Sequence, residues 1–263
     1  MISDRGSSMG GTGRSGAGGA AVVVGSAGAV GGAILRGLAA DRPELVPWIT
    51  YRSDPSPLER LGEEIPGLRS ARCDLVEPDS LAGLVSQVEE TAGAVSVLVH
   101  AAVAPRLGPM LEVGHRAVSE SVASGGLSLL ALVEAFDRLL EPGSAVLYLT
   151  SIGSQRVIPG YGSVGAAKAV GDTIVRYLAS ELAPRGIRVN AISAGPFLSK
   201  AAAAVVGDTG ALMAATAAAT PRGRALDLEE LANAAVFLAG PRGTGITGQV
   251  VVVDGGIFNR WVL

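Results

Sequence analysis

The chain has 263 residues, 48% of them hydrophobic, and a formal net charge of −3, enough length to bury one large core and no basic excess to hold nucleic acid. Lys and Arg are scattered, so an anionic ligand has to be held locally. A single cysteine, Cys73, excludes an internal disulfide, and no hydrophobic run reaches the roughly 20 residues that span a bilayer.

Met1 to Gly19 is rich in Gly and Ser, carries Arg5 and Arg14 and lacks an apolar h-region, which reads as a disordered leader rather than a secretory signal. With the lone thiol this fits a cytoplasmic protein with no membrane anchor. Residues 20–263 read as one domain, with no internal repeat and no dividing linker. Short β-branched runs alternate there with stretches of helical period: Ala21 to Val24, Trp48 to Tyr51, Val95 to Val99, Ala145 to Leu149, Ile187 to Ile192 and Val250 to Val253. Runs that are apolar on consecutive residues suit strands buried on both faces, as in a parallel sheet covered by helices. The expected fold is α/β, a doubly wound parallel sheet of about seven strands with helices on both faces.

The first strand runs directly into Gly25-Ser26-Ala27-Gly28-Ala29-Val30-Gly31-Gly32, and Ala33-Ile34-Leu35 continues as helix. Glycines let the turn close tightly and let backbone N–H groups approach a pyrophosphate, while the helix N-terminus adds partial positive charge. Gly25, Ser26, Ala27, Gly28, Val30 and Gly31 are therefore candidate contacts to a dinucleotide in a Rossmann-type unit; the alternative is a purely structural turn. The second strand ends in Tyr51-Arg52-Ser53-Asp54, where such folds discriminate between cofactors. An arginine there can pair with the 2′-phosphate of NADP, so Arg52 and Ser53 point to NADPH, with NADH left open. The other reading of Arg52 is a solvated arginine near Asp54.

The clearest helix runs from about Val164 to Leu182, with Val170, Ile174, Tyr177, Leu178 and Leu182 at three- and four-residue steps. Ala183-Pro184-Arg185-Gly186 ends it. From about residue 197 to 222 the chain becomes Ala-rich and loses strand character, which reads as a flap over a substrate site or, equally, as an ordinary pair of surface helices.

Five segments carry a resemblance: Val99-His100-Ala101-Ala102, Thr150-Ser151-Ile152-Gly153, Tyr161 through Lys168, Arg188 through Pro196, and Val253-Asp254-Gly255-Gly256. In them the chain resembles the short-chain dehydrogenase/reductase superfamily, over nearly everything after residue 20. The resemblance implies cofactor contacts at Asp74 and Leu75 after the third strand, with Asp74 against the adenine. It implies others at Ala101 and Ala102, in the stretch that usually reads Asn-Ala-Gly, and at Thr150, Lys168, Gly195, Pro196, Phe197 and Ser199, the last on a cofactor phosphate. His100 lies in the strip along the cofactor and is expected to be structural.

Ketone-reducing members of that superfamily place the catalytic tyrosine four residues before the lysine, a position held here by Val164, which has no proton to donate. The nearest phenol is Tyr161, seven residues before Lys168, a spacing similar to the enoyl-acyl-carrier-protein reductase branch. Arg156 through Lys168 and Ala194-Gly195-Pro196-Phe197-Leu198-Ser199 also look like that branch, and Ala123 stands where ketone reducers keep a helix asparagine. On a helix, residues four and seven apart share nearly one face. The phenol then keeps its direction and lies about 4.5 Å further along the axis, provided the helix already begins at Tyr161. Such a hydroxyl suits a conjugated thioester, where hydride enters the β-carbon and charge collects on the distant carbonyl oxygen.

These residues predict reduction of an α,β-unsaturated thioester on acyl-carrier protein or CoA, as in fatty acid or polyketide biosynthesis. Tyr161 reads as the donor to the enolate oxygen, against a structural tyrosine in a Pro-Gly turn. Lys168 by resemblance holds the nicotinamide ribose, and its charge is expected to favour ionisation of a nearby phenol. Ser151 orients substrate or merely ends its strand. Two other functions stay open: an atypical tailoring ketoreductase drawing its proton from Tyr161, Ser151 or water, and a catalytically silent NADPH-binding protein. No metal site is expected, since the only histidines are His100 and His115 and no carboxylates or thiols cluster. Cys73 reads as a small buried apolar residue on a strand, and a homotetramer is implied by the resemblance alone.

Overall fold

The computed structural model describes residues 18–25, 29–56, 58–195 and 209–259. Seven strands form one all-parallel sheet: β1 (Gly18–Val24), β2 (Leu45–Tyr51), β3 (Arg69–Arg72), β4 (Val95–His100), β5 (Leu140–Ser151), β6 (Arg188–Ala194) and β7 (Val250–Val253). Their order across the sheet is β3-β2-β1-β4-β5-β6-β7. Consecutive residues of β1 divide between two cores, with Ala20, Val22 and Val24 on one face and Ala21 and Val23 on the other. Both faces therefore need helices. One is covered by α1 (Ala29–Asp41), α2 (Leu58–Glu64) and a later helix, Leu228–Ala239; the other by α3 (Pro78–Ala92), α5 (Ser128–Phe136) and α6 (Gly162–Leu182).

The third strand is the one that composition hides. Its residues read Arg-Ser-Ala-Arg, and only Ala71 is buried; an edge strand needs little apolar anchoring, and its charges guard the open edge. Cys73 lies one residue past β3 rather than on it, buried as expected, with its N–H donating to Tyr51 O at 2.9 Å. A second correction concerns the leader. Gly18 and Gly19 belong to β1, because the strand passes so near Ala94 that a Cβ on Gly19 would lie 2.9 Å from its carbonyl oxygen. The leader's other residues, 1–17, lie outside the described residues, as do 197–208 of the expected flap. The part of the flap that is described contains a helix, α7 (Thr209–Ala219), followed in the chain by α8 (Leu228–Ala239).

Between β4 and β5 the chain is helical from Met110 to Leu139 apart from a kink at Gly114, whose φ of 75° and ψ of 162° are not helical: α4 (Met110–Val122), a π-helical turn at Ala123–Leu127, α5, and a final short turn. This span is long and apolar enough to cross a membrane by length and composition, a property masked in the sequence by Gly114, Gly125 and Gly126. Leu129, Leu132, Val133 and Phe136 are buried in the core beside the sheet, as in the central helix of a globular domain. The π turn packs on α6 so closely that a Cβ on Gly126 would run into the Ala167 carbonyl. Gly126→Ala is therefore expected to lower unfolding stability by about 1–3 kcal/mol, the usual cost of overpacking. Urea denaturation measures it, and an unchanged midpoint would mean the two helices can separate without penalty.

Candidate active site

Strand order reverses between β1 and β4, and open α/β sheets bind ligands outside the carboxyl ends of their strands at such a reversal. Gly25 follows β1 with φ of 91° and donates its N–H to Thr50 Oγ1 at 3.1 Å. A Cβ on Gly25 would overlap Ala102, which is drawn close by the Ala101 N–H bond to Val24 O at 2.8 Å. Close approach therefore demands glycine here, beyond the needs of the turn itself. The chain then enters α1, where Val30 is half-buried and Gly31 buried; the free N–H groups of such a helix start suit a pyrophosphate. Ser26, Ala27 and Gly28 lie outside the described residues, as do Pro196, Phe197 and Ser199.

Further along the same strand ends, Thr150, the residue before the last of β5, is almost fully buried, and its Oγ1 has no hydrogen-bond partner among the described residues. Gly195 continues β6 and donates to Val253 O at 2.9 Å. Asp74 follows β3 and accepts from the Val76 N–H at 3.2 Å, beside buried Leu75. Arg52 and Ser53 are exposed at the end of β2. Arg72, paired in register with Tyr51, donates from Nε to Arg52 O at 3.1 Å. A second guanidinium thus stands next to the position expected to read a 2′-phosphate; sequence reasoning missed it because the third strand was expected from the resemblance alone, with no apolar run to set its bounds or its register with β2. A buried hydroxyl without a partner, a backbone wall too tight for a side chain and a helix start facing the crevice fit a dinucleotide.

Tyr161 precedes α6 rather than beginning it. Its φ of −106° and ψ of 8° are not helical, although its carbonyl accepts the Gly165 N–H at 2.9 Å. The condition for aiming the phenol by helical phase is therefore not met, and packing aims it instead. The ring lies on Gly153, where a Cβ would sit 2.7 Å from Tyr161 Cδ1. Its neighbours are clamped to the loop after β4 by the Gly108 N–H bond to Gly160 O at 2.8 Å and by the Ser163 hydroxyl donating to the Arg106 carbonyl. Burial pushes the Tyr161 phenol above its ordinary pKa, and interaction with the Ser151 hydroxyl opposes the rise. The phenol is thus a protonated donor at neutral pH. Ser151, rather than the expected Lys168, is the group that favours its ionisation. Ser151 Oγ also accepts the Gly153 N–H at 3.2 Å.

Lys168, one face of α6 further in, is only 4% exposed. Its Nζ donates to Ala102 O at 3.1 Å and stands 4.7 Å from the centroid of the Tyr148 ring. Burial lowers its pKa to about 7, and the carboxylate of Asp172, one turn on, works against that fall. Tyr148 is fully buried in β5 and donates its hydroxyl to Gly125 O, in the π turn, at 2.5 Å. Its phenol is pushed up by burial first, and further by interaction with Asp172 and Tyr161.

His100 lies behind, ring centroid 5.3 Å from that of Tyr148. The Ser128 hydroxyl donates to Ser124 O at 2.7 Å, so it accepts from His100 Nε2 at 2.8 Å, and Nδ1 is left bare and unpartnered. Burial, and the nearby Lys168, lower the His100 pKa to about 3, which keeps the ring neutral and unsuited to act as an acid. Among the described residues no group of His, Cys, Asp and Glu converges as a metal ion would need. Sequence reasoning also passed over Tyr148 and Asp172; the latter had a signal, since it shares the helix face of Lys168 four residues on.

Fold and crevice are those of an NAD(P)H-dependent oxidoreductase of the short-chain dehydrogenase/reductase type. The family described as Enoyl-(Acyl carrier protein) reductase matches residues 25–258, and the chain belongs to that family. The enoyl-[acyl-carrier-protein] reductase [NADH] 1 of Rhizobium meliloti (strain 1021) is 33% identical over 203 residues, 76% of this chain and 74% of the relative. FabI of Escherichia coli (strain K12), an enoyl-[acyl-carrier-protein] reductase [NADH], is 43% identical over 129 residues, 49% of each chain. The crystal structure of the Bacillus cereus enoyl-acyl carrier protein reductase with NADP+ and indole naphthyridinone superposes with a TM-score of 0.86 at 26% identity, covering 94% of this chain and 98% of that one.

The depressed pKa of Lys168 has a consequence for stability. Between about 7 and the ordinary 10.5 the unfolded chain binds a proton that the folded chain does not, so stability rises with pH across that window and levels off below about 7, where both states are protonated. The melting temperature of the wild type relative to Lys168→Met is expected to climb over the same range. A difference independent of pH between 7 and 10.5 would show that the ammonium is not desolvated.

Proposed function

We propose that the protein reduces the α,β double bond of an enoyl thioester, carried on acyl-carrier protein or CoA, with NADPH as its preferred donor. The observation that carries this reading is the protonated, half-buried phenol of Tyr161, held beside Ser151 and seven residues ahead of the buried Lys168. A reduced nicotinamide, when bound, supplies the hydride that enters the β-carbon. Lys168 has three N–H donors and spends one on Ala102 O; the others are available to the nicotinamide ribose hydroxyls. As charge moves to the thioester oxygen, the Tyr161 hydroxyl donates to it, a hydrogen bond that is strongest in the transition state. Ser151 steadies that phenol from its other side.

The names of the Rhizobium and Escherichia relatives support an enoyl-[acyl-carrier-protein] substrate for this chain. They also name NADH, whereas the Bacillus structure contains NADP+. The adjacent Arg52 and Arg72 favour the phosphorylated dinucleotide here, since paired guanidiniums suit a phosphate.

Steady-state assays with crotonyl and acetoacetyl thioesters test the reaction: turnover of the enoyl substrate is expected, and turnover of the ketone alone would reject the proposal in favour of a ketoreductase. Tyr161→Phe should lower kcat by about 100-fold or more, the usual effect of removing one donor to a developing oxyanion. Arg72→Ala should raise KM for NADPH about tenfold, on the order of 1.4 kcal/mol, and leave KM for NADH nearly unchanged. Equal effects on both cofactors would remove the arginine pair from cofactor choice.

A further inference from the structure

Lys168 is a long, flexible side chain with a charge in nearly dry surroundings, and it donates a hydrogen bond to the Ala102 carbonyl. One hydrogen bond does not fix the direction of a four-carbon stem. The second contact is the face of Tyr148, 4.7 Å from Nζ to the ring centroid, a geometry in which the ring quadrupole attracts a cation. We propose that Tyr148 is a positioning residue that holds the Lys168 ammonium toward the crevice by its ring face. The inference rests on the proposed role of Lys168 as the holder of the nicotinamide ribose.

Several features fix that ring. Tyr148 stands among Val146, Leu147 and Leu149 on a strand buried on both faces, where a phenol is costly without a partner. It finds one in Gly125 O, inside the π turn. On the other flank α6 carries Gly171, where any Cβ would overlap Tyr148 Cζ, its hydroxyl and Cε1. Strand, π turn and helix thus each give way to one aromatic ring beneath one ammonium. The charged and titratable groups around that ammonium are Asp172 on its own helix, His100 and Tyr148 from the sheet, and Tyr161 through its action on Tyr148. His100 is neutral, which leaves the ring face and the Asp172 carboxylate as the features that favour the cation.

The experiment is a fluorescence titration of NADPH against the full chain and its variants, alongside thermal melting. Tyr148→Phe keeps the ring and discards the hydroxyl, so its melting temperature should fall while its Kd for NADPH stays close to the wild-type value. Tyr148→Leu removes the ring and should weaken NADPH binding about five- to thirtyfold, the range of a desolvated cation–ring contact. Gly171→Ala should weaken it likewise by displacing the ring, and should add no further loss in the Tyr148→Leu background. A purely structural tyrosine would instead move melting and leave Kd alone in all three. If Tyr148→Leu binds NADPH like the wild type while Lys168→Ala does not, the inference fails and the role of Lys168 survives. If Lys168→Ala itself binds normally, the role of Lys168 fails first. Should Tyr148→Leu not fold, Tyr148→Phe still decides: a loss of binding as large as that of Lys168→Ala overturns the proposal.

Discussion

Burying an ammonium beside the carboxyl ends of the central strands of a parallel sheet is the constraint around which the site is built. Lys168 reaches 4% exposure only because α6 lies almost in backbone contact with the π turn that precedes α5. That contact is possible because the turn offers glycine, and it brings the Gly125 carbonyl to the Tyr148 hydroxyl. The lysine then meets Ala102, which itself stands so close to Gly25 that no side chain fits at Gly25. Dinucleotide crevice and reactive face are in this way one packing problem.

Much of the fold could be read from the sequence because burial on both faces leaves a mark that periodicity can find. β1, β2, β4 to β6 and β7 all contain β-branched or aromatic runs, and the helix expected from Val164 to Leu182 is observed from Gly162 to Leu182. The edge strand β3 was expected only through the resemblance, since a strand with one buried residue has no apolar run to detect. Gly18 and Gly19 misled because glycine looks like leader composition, whereas here it is demanded by contacts with Glu44 and Ala94, both distant in sequence.

The site was legible in its identities and less so in its geometry. The seven-residue spacing picked out Tyr161 and Lys168, yet the phenol is aimed by Gly153 and by clamps from the loop after β4, not by helical phase. No periodicity could reveal Tyr148, which lies in an apolar run that any buried strand would show, nor link it to Gly171, 23 positions on. Arg72 was hidden with its strand. Contacts between elements decide these features, and a single sequence records residues, not contacts.

The central claim is that Tyr161 donates to the oxygen of a conjugated thioester while Lys168 holds the nucleotide. A crystal structure of the protein with oxidised nicotinamide cofactor and an unreactive enoyl thioester analogue tests it most directly. The account requires the Tyr161 hydroxyl within hydrogen-bond reach of the thioester oxygen, about 2.5–3.0 Å, with the substrate β-carbon over the nicotinamide ring. A phenol turned to bulk water, with the thioester oxygen held by another group, would contradict it.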